Sequence, residues 1–101
     1  MRMNMSMKII EVQILKTKSE KVIARADVHF EGFLLKGFKV IRDEKKNKEY
    51  VTPPSYLAGA FWRPLFKTDS LEDWQEIQRR ILEEFSTQQM KESLDEQYER
   101  K

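Results

Sequence analysis

The stretch Val22–Ile41 reads VIARADVHFEGFLLKGFKVI. Its first half alternates strictly: Val22, Ala24, Ala26, Val28 and Phe30 fall on one face, and Arg25, Asp27 and His29 fall on the other with Ile23. A period of two with one apolar face is the pattern of a half-buried antiparallel strand. Glu31 and Gly32 form a tight connection, and Phe33 to Arg42 reads as the next strand. There Leu34, Phe38 and Val40 are expected on one side, with Phe33, Leu35 and Ile41 on the other. Apolar residues on both faces suggest a central strand, or a partner over the second face.

Upstream, Lys8 to Lys16 reads as a strand in which Ile10, Val12 and Ile14 share a face, and Thr17 to Glu20 as a polar turn. Downstream, Asp43 to Lys48 is a charged turn and Glu49 to Thr52 a short fourth strand. It ends at Pro53 and Pro54, neither of which can donate to a ladder. Ser55 to Ala60 reads as a loop flexing at Gly59. Phe61 to Phe66 is extended, and Pro64 confines it to an edge or to irregular structure. Asp69 is expected to cap a helix, with Glu72 three residues on as in a capping box. Leu71, Trp74, Ile77, Ile81, Leu82 and Phe85 lie within an arc of roughly 140°, a helix laid across a sheet. Beyond Phe85, Met90, Leu94 and Tyr98 recur every four residues on nearly the opposite side, so residues 86–101 are expected to be a separate charged helical piece or a frayed tail. The fold class is α+β: an antiparallel four- to five-stranded meander packed by one C-terminal amphipathic helix.

The chain has 101 residues, enough for one domain. It has no cysteine, which removes disulfides and thiolate metal sites. No apolar run approaches the ~20 residues of a membrane span, and the Met-rich start lacks the apolar core of a secretory signal. A cytoplasmic protein without membrane partners is expected. Residues 1–67 carry 14 basic and 7 acidic side chains, and residues 68–101 carry 5 and 10. A basic body attracts polyanions, whereas an acidic tail opposes them or pairs with the body; both are also what ordinary solvated faces look like.

The order of elements and several strings resemble the stage V sporulation protein G (SpoVG) family of septation regulators. Met7-Lys8-Ile9-Ile10-Glu11-Val12 is similar to the family's M-x-I-T-D-V start, and Gly32 to Ile41 to its E-F-V-V-H-D-I-x-V-I strand. Tyr50-Val51-Thr52-Pro53-Pro54-Ser55 is similar to F-V-A-M-P-S, and Glu76-Ile77-Gln78 to the K-I-Q of its helix. The resemblance covers about residues 7–85, which makes residues 1–6 a disordered extension and 86–101 a charged tail. It implies a homodimer that binds nucleic acid, DNA in preference to RNA, and regulates gene expression in septation, sporulation or virulence, with no enzymatic activity and no cofactor. The sequence departs from the family where Trp74 and Glu76 replace two basic helix positions, and where Tyr56-Leu57-Ala58-Gly59 and Phe61-Trp62-Arg63-Pro64-Leu65 replace T-P-D-G and H-P-I strings.

Candidate residues follow. His29 is the single histidine and lies on a strand face without an evident orienting partner, so no catalytic residue is assigned. Metal-ligand spacing is absent. Two basic surfaces are candidates for phosphate. One is the helix pair Arg79 and Arg80, although Glu76, Glu83 and Glu84 stand at ion-pair spacing around them. The other is the sheet end where a meander brings its first and third turns together: Lys16, Lys18 and Lys21 with Arg42, Lys45, Lys46 and Lys48, diluted by Glu20, Asp43 and Glu44. Phe61 and Trp62 are neighbours on an extended segment and cannot both join the core, so with Phe33 and Leu35 they are the expected dimer interface. The acidic tail offers a surface for a protein partner. The alternative function is therefore a dimeric protein-interaction module that has lost DNA binding.

Overall fold

The computed structural model describes residues 8–17, 19 and 21–99, with side chains through residue 94. The expected 1–6 extension, Lys18 and the Tyr98 side chain lie outside the described residues. Four strands, β1 (Ile9–Lys16), β2 (Val22–Phe30), β3 (Phe33–Asp43) and β4 (Lys48–Thr52), form an antiparallel sheet in the order β1-β2-β3-β4. A separate two-stranded hairpin, β5 (Ser55–Ala58) and β6 (Phe61–Pro64), follows, and then the helix α1 (Leu71–Glu99). The α+β meander with a C-terminal helix is as the alternation requires.

The core lies between one sheet face and α1. Ile77, Ile81 and Phe85, spaced by four, press on Val12, Ile14, Ala24, Ala26, Val28, Phe38, Val40 and Val51. Ala24 and Ala26 are small and fully buried within this core, while the helix backbone comes nearest to the edge strands β1 and β4. At the N-terminal end of the helix, Phe66 packs on the Phe30 and Phe38 rings, and Trp74 stacks over Phe38 at 6.3 Å.

Three β-bulges correct the expected faces. An extra residue in one strand reverses the alternation beyond it. The register slips between Ile9 and Glu11, so Ile9 packs on the core and Ile10 is 53% exposed. It slips between Val22 and Ala24, which turns Ile23 onto the core. It slips again where Ala26 pairs with Phe38 but Asp27 with Lys36, leaving Gly37 as the extra residue at φ 106°. Only glycine takes that φ without strain. Leu35 therefore faces the core, Phe33 stacks on Phe30 at 4.9 Å, and Leu34 points outward, the reverse of the expected arrangement.

Three further expectations are corrected. Ser55 to Ala60 is not a loop: Leu57 pairs with Trp62 and Ala58 with Phe61 across a two-residue turn. Gly59 opens that turn at φ 65°, the positive φ that a type II′ hairpin needs there. The helix cap is Ser70 rather than Asp69. Its hydroxyl accepts the Asp73 amide at 3.3 Å and its carbonyl accepts that of Trp74 at 3.2 Å. Finally, residues 86–99 are not a separate piece. No glycine or proline interrupts residues 71–99, so α1 continues unbroken for 29 residues and carries Met90 and Leu94 out on an exposed side.

Replacing Ile81, fully buried under the sheet, with Ala is expected to lower the unfolding free energy by about 2–5 kcal/mol, whereas Leu94→Ala changes it by less than about 0.5 kcal/mol. Urea denaturation of the two variants checks this contrast.

Candidate functional site

The sheet end opposite the Gly32 turn gathers the basic turns. The Arg42 amide donates to the Lys21 carbonyl at 3.2 Å, which ties the first turn to the third. Lys21, Arg42 and Lys45 line one cleft together with Asp43, Glu44 and Tyr50. The third turn is fixed locally: Asp43 Oδ1 accepts the Lys45 amide at 3.1 Å, and Asn47 takes φ 52° before β4 begins. Asparagine tolerates this left-handed conformation better than most residues.

The basic side chains of this end divide into two groups. Lys16 and Arg42 sit on the helix side beside Phe85 and Gln89, where both meet carboxylates. Lys16 Nζ pairs with Glu92 of α1, and Arg42 pairs with Glu49 at 2.8 Å. Lys21, Lys45, Lys46 and Lys48 are exposed, and none of the four has a carboxylate partner among the described residues. The topology thus brings six of the seven expected residues to one end, and Lys18 lies outside the described residues.

The helix pair is organised differently. Arg79 is clamped by two acids: its Nε and one terminal nitrogen grip Glu76 at 3.0 and 2.6 Å, and the other terminal nitrogen reaches Glu83 at 2.6 Å. Such forked contacts to carboxylates are the strong ones for arginine. The Glu76 hydrogen bond pushes the Arg79 guanidinium further into its charged form, and the same bond holds the Glu76 carboxyl below the usual carboxylate range. Among the described residues Arg80 forms no ion pair with Glu76, which Arg79 has taken, nor with Glu84; the Arg80 charge only adds to the lowering at Glu76.

The four expected interface residues also separate. Phe61 and Trp62 are 70% and 65% exposed at the tip of the hairpin, with Lys39 Nζ 5.4 Å over the Trp62 ring. Phe33 is half-exposed at the sheet edge, and Leu35 is turned to the core by the Gly37 bulge. Leu57 and Leu65 are exposed apolar residues to which the sequence assigned no role, and Leu71, expected on the core-facing stripe of the helix, is instead exposed, because as the first residue of α1 it lies outside the core cluster. The signal for Leu57 was Gly59-Ala60 between two apolar runs, a hairpin turn that brings it opposite Trp62. Beneath the hairpin base, Val51, Phe66, Leu71 and Trp74 line a groove of about 590 Å³. His29 stands exposed on the outer sheet face. Among the described residues no three acidic or histidine side chains gather as a metal site, and no helix is long and apolar enough to cross a membrane.

No family model matches the chain, and no curated protein matches it.

The Glu76–Arg79 pair has a defined pH signature. A lowered carboxyl pKa adds stability above the unfolded value of about 4.3, and that contribution is lost as the pH falls through the folded value. Both groups are exposed, so the effect on stability is small. An NMR titration is expected to place the Glu76 carboxyl below an ordinary glutamate and to return it to the ordinary range in Arg79→Ala.

Proposed function

We propose that this chain is a SpoVG-like dimeric regulator of gene expression that acts in the cytoplasm and grips the nucleic-acid backbone, DNA in preference to RNA, with the turn end of its sheet. The observation that carries this reading is the set of four exposed lysines, Lys21, Lys45, Lys46 and Lys48, which have no carboxylate partner among the described residues and lie on two turns tied together by one backbone hydrogen bond. Lysine is a point charge on a flexible stem, suited to phosphate and poorly suited to reading base edges. Binding through these residues is therefore weakly selective in sequence. A dimer doubles the lysine set and lengthens the track of phosphates it spans. The chain works by binding, with no catalytic step.

The helix is a poor second surface. A phosphate approaching Arg79 must displace two carboxylates, those of Glu76 and Glu83. This arrangement favours one alternative, a dimeric module whose partner is a protein.

The salt dependence of binding to a mixed pool of duplex DNA separates the two. Each phosphate contact adds about 0.9 to the slope of log K against log salt. Lys45→Ala with Lys46→Ala is expected to lower that slope by roughly 1–2, while Arg79→Glu with Arg80→Glu leaves it nearly unchanged. A folded protein whose binding shows no salt slope, or that does not bind at low salt, overturns the nucleic-acid reading and leaves the protein-interaction module.

A further inference from the structure

α1 covers one face of the four-stranded sheet, and among the described residues no second layer covers the other. The register defines two neighbouring rows on that outer face. One runs Val22–Ile41–Tyr50, and the next, about 7 Å further along the strands, runs Leu15–Arg25–Lys39–Thr52. Arg25 stands directly opposite Lys39, and neither has a carboxylate partner among the described residues. Like charges opposite each other destabilise a sheet, so folding gives no reason for this pair. An anion laid across it does.

Two aromatic rings border the pair. Tyr50 is exposed in the first row and lines a cleft of about 610 Å³ with Val22 and Ile41, beside Lys21 and Lys45 of the turns. Trp62 reaches the same face from the hairpin. Lys39 Nζ lies 5.4 Å over its ring, which is still 65% exposed and so keeps surface for a second planar group. Phe61, on the other side of the hairpin, takes no part. The acids of the outer face stand beyond the Gly37 bulge, Asp27 opposite Lys36 and Glu11 opposite His29. Those of the cleft are Glu44 and Asp43, whose Oδ1 is engaged by the Lys45 amide.

Cations for phosphate interleaved with open rings for bases are what an unpaired strand requires. A duplex keeps its base faces stacked inside and meets such a surface through phosphates alone. An acidic peptide would use the cations and leave the rings idle. We propose that the outer sheet face binds a single-stranded nucleic acid, with one base stacked on Tyr50, another on Trp62, and phosphate held by Arg25 and Lys39. This rests on the nucleic-acid reading above and names the form of that ligand. The lysine turns, beside Tyr50, lead the strand onto the face.

The test compares a short DNA strand of mixed sequence, free and annealed to its complement, by fluorescence anisotropy over a salt series. Circular dichroism confirms that each variant folds. Wild type is expected to bind the single strand about tenfold or more tightly than the duplex. Tyr50→Ala and Trp62→Ala are each expected to lower single-strand affinity about tenfold, with duplex binding and the salt slope unchanged, while Tyr50→Phe binds like wild type. Arg25→Ala is expected to lower the single-strand salt slope by about 0.7. Equal affinity for the two forms overturns the inference, as do alanine variants of both rings that bind the strand like wild type. So does polyglutamate that displaces the strand as well as unlabelled strand does, since charge alone is then recognised. In each of these cases a duplex slope that still responds to Lys45→Ala with Lys46→Ala keeps the turn reading. Stacking that persists with no response to that double variant keeps the face and removes the turns. No binding of either form at low salt overturns both.

Discussion

The seam of Ile77, Ile81 and Phe85 against the buried face of the sheet decides the rest of the molecule. Burial of apolar surface is the main favourable contribution to folding, and here nearly all of it is gathered on one sheet face under one helix. That single seam fixes which sheet face is dry and which end of the helix projects. The first half of α1 is held by packing. Beyond Phe85 the apolar residues have turned outward, and the Lys16–Glu92 ion pair is the described contact that holds the helix to the sheet end there.

This arrangement gives the charges their places. Apart from the buried Asp73, the helix leaves its described acids partly or fully exposed, and Glu92 arrives beside the first turn. Lys16 and Arg42, on the helix side of the sheet, are paired there. Lys21, Lys45, Lys46 and Lys48, on the turns themselves, escape that neutralisation. The near-zero net charge of the chain thus conceals a local basic end. The hairpin is a second consequence. Pro53 and Pro54 stop β4, so the following strands cannot extend the main sheet and project as a ribbon of their own.

Much of the fold was legible because alternation and helical periodicity are strong in this chain. β2, with alanines and valines against Arg25, Asp27 and His29, could hardly be read otherwise. The bulges were not legible in the same way. Gly37 in a strand hints at one, but whether Leu34 or Leu35 then faces the core depends on the register with β2, which no single strand states. The unbroken α1 was masked by its own amphipathic pattern: the stripe ends at Phe85, but the helix persists because nothing between 71 and 99 breaks it. Of the site, the meeting of the first and third turns followed from meander topology. Which basic residues would be paired did not, because Lys16–Glu92 joins residues far apart in sequence. The i,i+3 grip of Glu76 on Arg79 competed with the expected i,i+4 spacing to Arg80 and won by forming two hydrogen bonds at once.

Under the proposed function the turn end, and not the helix, meets the phosphate backbone. Amide chemical-shift mapping of the folded protein during a titration with a short DNA duplex separates the two surfaces. Shifts are expected at Lys21 and at residues 43–48, fading as salt is raised, with α1 around Arg79 and Arg80 undisturbed. Shifts centred on α1, or none anywhere at low salt, overturn that reading.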